Sequence, residues 1–299
     1  MRSGGGSRNI RRPTVPPIPK LSVLLLLPLA ACAAGHRVRA VASEMFELTL
    51  PLSQPRPDEL RVQYYDGLLI LRPGESLSGR LRANLVAEDL AGLSALRSEI
   101  RPTIAEADGR TDLSVALPEG VPIDSMQTVF DLAVPASTRV LAETRCGGAA
   151  VRGFRGNLEV RGGIGDLEVD MNGGSARLKT GRGAVRLRGI YRAAQIESES
   201  GRIEVAFPPG GISPIIGIRS TSGPVFLDLW RGQNIEVRFR GDVERVRADA
   251  DVRVSWREIV ERDGKDEHLG TFGDPNEPQD VKLELETGAS VTLRLCPDS

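Results

Sequence analysis

The sequence predicts an all-β fold: a single-stranded parallel β-solenoid with coils of about 18 residues, the length of two short strands and a corner, preceded by a β-rich N-terminal cap containing one short helix. Three observations predict it. Gly147, Gly165, Gly183, Gly201 and Gly223 punctuate the middle of the chain with near-equal spacing, the last step being slightly longer. Seven and five places before each glycine, and two and four after it, every position is apolar, and the positions between are mostly polar. The outward positions line up charges of mostly opposite sign on successive coils. Alternation with period two marks a half-buried strand. Such a repeat is one coil of a stack whose inner face only its neighbours can bury.

The elements follow in chain order. Residues 1–20 carry Arg2, Arg8, Arg11, Arg12 and Lys20 and no acid; the apolar run Leu21–Cys32 follows, interrupted by Pro28. A basic stretch, a short apolar run and small residues form a secretory signal peptide, placed at 1–31. The run is too short for a spanning helix of about 20 residues. Leu29-Ala30-Ala31-Cys32 is similar to a bacterial lipobox, in which the chain is cut before the cysteine and the cysteine carries acyl chains of the palmitate type. Cys32 is therefore the expected lipidation site and the membrane lipid its expected partner. Each buried methylene contributes about 0.8 kcal/mol, so two or three chains anchor stably. Ala33, not Asp, follows the cysteine, which by resemblance to sorting in double-membraned bacteria points to the outer membrane. Cleavage removes five cations and no acid, taking 39 basic against 40 acidic residues to 34 against 40. The lipid, not electrostatics, then holds the protein at the membrane.

Residues 32–43 read as a tether and 44–135 as the cap. Met45–Leu50 alternates as a strand, and Pro51–Pro57 breaks it. Asp66-Gly67, inside Leu60–Leu71, reads as a hairpin turn. Leu81–Val86 is strand-like. Leu90, Leu93 and Leu96 predict a short helix within Glu88–Ile100, ended by Pro102. Ile100–Leu117 reads as a second hairpin around Asp108-Gly109. The regular coils occupy 136–230, with a loop insertion at Pro208–Pro214. Three places before each glycine stand Thr144, Gly162, Thr180, Ser198 and Ser220, small enough for a tight corner. The outward columns run Glu143, Arg161, Lys179, Glu197, Arg219; Ala150, Glu168, Arg186, Glu204, Phe226; and Arg152, Asp170, Arg188, Ala206, Asp228. Opposite charges on neighbouring strands favour one register; Arg161 beside Lys179 is the exception. Residues 231–299 read as an irregular β continuation, with a polar, solvated loop at 263–280.

The segments GGIGDLEVDM, TGRGAVRLRG and ESESGRIEVAF, with FDLAVPAST (Phe130–Thr138) leading in, resemble the repeats of the "putative adhesin" domain-of-unknown-function family of bacterial β-strand-repeat envelope lipoproteins. The resemblance spans roughly Glu44–Leu227. It implies a β-solenoid-like envelope protein and carries over no catalytic residue.

Little in the composition supports chemistry. Aromatics are 4% and the net charge is −1, against both base stacking and a basic field for nucleic acid. The glycine-rich stretches precede strands, not helices, so they are corners and not phosphate loops. Asp263, Asp266, Glu267, Asp274, Glu277 and Asp280 lack the calcium-loop spacing. His268, alone in that acidic loop, makes a poor triad member. Glu204 with Asp170 or Glu168 is the one carboxylate pair that a polysaccharide-cleaving enzyme could use, and basic column neighbours account for all three. With Cys32 acylated, Cys146 and Cys296 remain; they form either one disulfide or two separate thiols. The expectation is a membrane-anchored envelope lipoprotein with an interaction or scaffold domain, adhesin-like and not an enzyme, with no cofactor or metal. Its expected further partner is an envelope protein or polysaccharide, and not nucleic acid. The alternatives are a polysaccharide-acting β-helix enzyme and a self-assembling solenoid scaffold.

Overall fold

A computed structural model describes residues 42–100, 102–115, 121–122, 125–208, 214–262, 265–274 and 281–296. The signal peptide, Cys32 and the tether up to residue 41 lie outside the described residues. The chain is all-β with one α-helix among the described residues. Its strands are β1 (Ala42–Thr49), β2 (Glu59–Tyr64), β3 (Gly67–Pro73) and β4 (Ser78–Ala87), then helix α1 (Leu90–Glu99), then β5 (Pro102–Ala107), β6 (Arg110–Val115) and β7 (Met126–Val134). The repeats supply β8 (Arg139–Thr144), β9 (Gly148–Phe154), β10 (Asn157–Gly162), β11 (Leu167–Asn172), β12 (Ser175–Thr180), β13 (Val185–Ile190), β14 (Ala193–Ser198), β15 (Ile203–Ala206), β16 (Ile215–Ser220) and β17 (Val225–Leu229). The C-terminal part supplies β18 (Ile235–Arg240), β19 (Val246–Ala248), β20 (Val254–Arg262), β21 (Lys265–Phe272), β22 (Val281–Thr287) and β23 (Val291–Leu295).

These strands form two sheets, of 11 and 12 strands, whose inner faces share one hydrophobic cluster. In the repeats the chain visits the sheets alternately, and each strand pairs in parallel with the strand one repeat later. Leu158 lies opposite Ala176, Ala176 opposite Ala194, and Val169 opposite Leu187, each pair separated by one full repeat. All twenty apolar repeat positions are buried, the least so being Ala194 at 5% exposed. Alternation forces this result. With one face sealed, a slip of one residue would turn every side chain to the wrong side.

The corner glycines are fixed by close approach. A Cβ on Gly183, Gly201 or Gly223 would lie 1.6–1.9 Å from the carbonyl oxygen of the glycine one repeat earlier. The small residues three places earlier close the same corner. The Thr144, Thr180 and Ser198 hydroxyls accept from the N–H of Gly147, Gly183 and Gly201 at 2.8, 3.2 and 2.9 Å.

Outside the repeats the order of strands departs from the order of the chain. One sheet runs β1-β4-β7-β3-β9-β11-β13-β15-β17-β23-β19, the other β20-β21-β18-β22-β16-β14-β12-β10-β8-β2-β6-β5. Taking one strand from each sheet as a rung, β2–β3 is slotted between β6–β7 and β8–β9, and β22–β23 between β16–β17 and β18–β19. All of these pairings are parallel.

Several expectations change accordingly. Asp66-Gly67 is no hairpin turn: β2 and β3 belong to different sheets, and each finds parallel partners there. The turn is a corner like those of the repeats, with Gly67 at φ +130° and its carbonyl against Gly147. The stretch 44–135 thus contains two rungs besides its cap elements. Residues 231–299 contain two more, in swapped order. Ala42 and Ser43, read as tether, open β1. The polar stretch 263–280 is no continuous loop, because Lys265–Phe272 is strand β21, antiparallel to both β20 and β18. Residues 263–264 and 275–280 lie outside the described residues.

The hairpin β5–β6 forms where expected, with Asp108 and Gly109 at φ +49° and +76°. Helix α1 forms too, capped by Asp89, which accepts from Gly92 N at 2.6 Å. Leu93 and Leu96 face inward while Leu90 stays exposed. Antiparallel strands finish both ends of the stack: β4 and β1 beyond β7, β5 beyond β6, and the hairpin β20–β21 beyond β18. That hairpin sets Trp256 against Phe239 and Phe272, with ring centroids 5.7 and 5.8 Å apart. The fourth sheet edge is different: the 11-stranded sheet ends on β19, a three-residue strand parallel to β23.

Candidate interaction surface

The outer face of the 12-stranded sheet is a ladder of ion pairs. One column crosses eight neighbouring strands as Glu143, Arg161, Lys179, Glu197, Arg219, Glu286, Arg240 and Glu267. The charges pair two by two: Arg161 with Glu143 at 3.8 Å, Lys179 with Glu197 at 3.1 Å, Arg219 with Glu286 at 3.0 Å, Arg240 with Glu267 at 3.1 Å. Arg161 and Lys179, adjacent cations, therefore turn to opposite neighbours; Arg161 also holds Glu159 at 2.6 Å. Each exposed pair contributes about 0.2–1 kcal/mol, so the ladder specifies register more than it stabilises.

This face is notched. Between Gln195 of β14 and Glu284 of β22 stands Gly217, whose absent side chain leaves nothing within 4 Å of a Cβ position. A shallow groove of about 450 Å³ opens there, edged by Glu197, Arg219, Arg238 and Glu286. In the sequence Gly217 closes a column that runs Leu141, Glu159, Arg177 and Gln195, where it stands only as the position without a side chain. The acids and bases at the far end of the groove come from β18, β21 and β22, strands whose place in the stack no repeat offset announces.

The opposite sheet presents its own pairs. Arg186 holds Glu204 at 3.1 Å, Arg294 holds Asp228 at 2.6 Å, and Arg202 and Arg294 lie over the Phe226 ring at 4.0 and 5.0 Å. The carboxylates considered for catalysis are not brought together. Glu168 and Asp170 sit on β11 and Glu204 on β15, two ladder steps or about 9.6 Å away, with Arg186 on the strand between. His268 lies in β21, its ring 5.9 Å from Trp256 and 6.4 Å from Phe239, and so takes part in the end cap. Among the described residues no three His, Cys, Asp or Glu side chains gather as a metal site.

Cys146 and Cys296 are not joined to each other. Cys146 N donates to Tyr65 O beside the β8–β9 corner, and Cys296 N to Leu229 O beyond β23. Five ladder steps, about 24 Å, separate those rungs. A disulfide needs Cα atoms roughly 4.4–6.8 Å apart. Burial and the Asp228 carboxylate push the Cys296 thiol pKa up, against the pull of Arg294.

No family model matches the chain, and no curated protein matches it. Some solved structures are distantly similar to it. A "putative lipid binding protein" from Parabacteroides distasonis is 9% identical with a TM-score of 0.41, over 85% of this chain and 97% of that one. A "putative adhesin" from Bacteroides fragilis is 9% identical with a TM-score of 0.39, over 87% and 100%. A "putative cell adhesion protein" from Clostridium sporogenes is 8% identical with a TM-score of 0.32, over 85% and 100%. At these values the likeness assigns no function to the chain.

Proposed function

We propose that the protein is a bacterial envelope lipoprotein, anchored through acylated Cys32, whose two sheets form a β-solenoid that acts as an adhesin-like interaction or scaffold domain and not as an enzyme. One observation carries the reading: a rigid ladder whose parallel strands keep the register of the repeat, with its apolar positions buried and its outward side chains arrayed in straight columns. Equivalent positions repeat about every 4.8 Å along such a face, which suits contact with an extended polymer or a partner protein. The lipobox-like Leu29–Cys32 and the basic stretch before it support export and anchoring, in the outer membrane of a double-membraned cell. The salt bridge that ties up Glu204 supports the absence of catalysis there.

The test has two parts. Mass spectrometry of the membrane-extracted protein, with and without Cys32→Ala, should find a mature N-terminus at residue 32 carrying acyl chains only when the cysteine is present. A chain cut elsewhere, or unmodified, overturns the anchoring. Binding of the purified protein to cell-wall, glycan and envelope-protein fractions should be saturable; binding to none of them overturns the interaction role.

A further inference from the structure

Arg152, Arg155, Arg188 and Arg192 are exposed arginines with no carboxylate within ion-pair distance among the described residues, as are Arg182, Arg238 and Arg247 elsewhere. Arg152 lies in β9 and Arg155 just past its end; Arg188 lies in β13 and Arg192 just past its end. They differ in this from Arg161, Lys179, Arg219, Arg240, Arg186 and Arg294, each of which is held by an acid. Strand β11 runs between β9 and β13, so the two arginine pairs stand two rungs apart, about 9.6 Å.

The rung between them offers Asp170, in register with Arg188, and then the turn Gly173–Gly174, with φ +136° and +74°. A Cβ on Gly173 would sit 3.7–3.9 Å from atoms of Arg155, whereas one on Gly174 would lie 2.1 Å from Gly156 O, so the chain is tightly packed there. Arg192 N donates to Gly174 O at 2.9 Å. Glu168, on the same strand as Asp170, lies in register with Arg186. This flank therefore places four guanidinium groups and one carboxylate on neighbouring rungs of a protein whose net charge is negative.

We infer that this corner binds an anionic polysaccharide, laid along the stack with acidic groups recurring at about the two-rung interval. The inference rests on the reading of the chain as an envelope interaction domain. Guanidinium forks donate two parallel hydrogen bonds to a carboxylate or phosphate, which makes arginine suited to such groups. Shape favours a narrow chain over a membrane surface: a flat bilayer pressed on this flank would also meet Glu168 and Asp228, whereas a single polymer passes only Asp170 between the two arginine pairs.

The experiment measures binding of the full chain to polygalacturonate, with neutral dextran as the uncharged control. Vesicles of phosphatidylcholine and phosphatidylglycerol in equal parts form the membrane arm. The R152Q/R155Q/R188Q/R192Q variant is compared with R61Q/R80Q/R110Q/R245Q, which removes the same charge from exposed arginines elsewhere. Thermal melts confirm that both fold. The corner variant should bind polygalacturonate about tenfold or more weakly at low salt, and its slope of log K against log salt should shrink by roughly 3, at about 0.7 per lost contact. The charge-matched variant should stay near wild type. Three results overturn the inference: no polygalacturonate binding by the wild-type chain, equal weakening in both variants, or stronger retention by the vesicles than by the polymer. All three use purified components and leave anchoring at Cys32 untouched, so this inference can fail while the proposed function stands.

Discussion

Gly183→Ala tests the corner geometry directly. The new Cβ would lie 1.6 Å from Gly165 O, 2.3 Å from Gly165 C and 3.0 Å from Asp166 N, all backbone atoms of the rung below. A tolerable carbon–oxygen contact begins at 3.0–3.4 Å, so these two rungs must separate locally by about 1.5 Å. Two hydrogen bonds join the same rungs beside the contact, Gly181 N to Gly163 O at 2.9 Å and Leu167 N to Ala184 O at 2.8 Å. Neither survives such a shift. Buried hydrogen-bonding groups left without partners cost about 1–3 kcal/mol each, and overpacking adds about 1–3 kcal/mol. The expected loss is at least about 3 kcal/mol, a fall in Tm of at least roughly 6–12 °C for a chain of this size. Gly217→Ala is the counterpart: same substitution, same parallel ladder, but nothing within 4 Å and no left-handed backbone. There the methyl group restricts only the unfolded chain and should stabilise by about 0.4–1 kcal/mol. Thermal unfolding followed by far-ultraviolet circular dichroism reads both variants. A Gly183→Ala protein melting within about 2 °C of wild type, less than a 1 kcal/mol change would produce, would falsify the close-approach account, and so would an equal fall for Gly217→Ala.

Other outcomes follow from the same structure. Tyr64→Phe removes the hydroxyl that donates to Gly148 O at 2.5 Å across the corner, and should cost about 1–2 kcal/mol in denaturant titration. Trp256→Ala strips the C-terminal cap from Phe239 and Phe272; for a half-buried tryptophan we expect about 2–3 kcal/mol, together with association at high concentration seen by light scattering. Cys146→Ser with Cys296→Ser should leave Tm within about 2 °C, since no shared disulfide of about 2–5 kcal/mol is lost, and non-reducing peptide mapping should find no link between the two. Slight burial would raise the Glu106 pKa, but hydrogen bonds from the Ser53 hydroxyl and from Gln54 and Ser53 N–H outweigh it and hold the carboxyl below its ordinary value. Its stabilising contribution is then complete above the unfolded pKa of about 4.3 and fades as pH falls through the lower folded value. Glu106→Gln should melt below wild type at pH 7, and the gap should close on acidification; a gap independent of pH refutes the assignment.

Much of the candidate surface was legible along the chain. The outward columns of the repeats pair as their charges suggested, and Arg161 beside Lys179 resolves once Glu143 and Glu197 take one each. Gly217 could be seen as a gap in its column, though its meaning depends on Glu284, which the chain delivers only after strands β17 to β21 have been laid down. His268 was misjudged because a run of polar residues hides a strand with one face inward: Gly270 and Phe272 alternate with it against the core. Trp256 was seen as strand, but its position over Phe239 depends on a hairpin that folds back across the end of the stack.

The periodic part of this protein is written along the chain itself: two strands per repeat, the register between repeats, the buried positions and the corner glycines. Each of these is a relation between residues a fixed distance apart, repeated until only one alignment buries every apolar side chain. The ends are different, and packing alone arranged them. Strand β2 pairs with β8 across the whole of the intervening cap, β16 pairs with β22 across the C-terminal hairpin, and Asp66-Gly67 turns a corner where a hairpin was expected. An alternating strand fits any slot of a parallel ladder equally well in its local pattern. Its slot is chosen by which neighbours are free and by what must cover the last rung, and that choice is made among distant segments only when the whole chain packs.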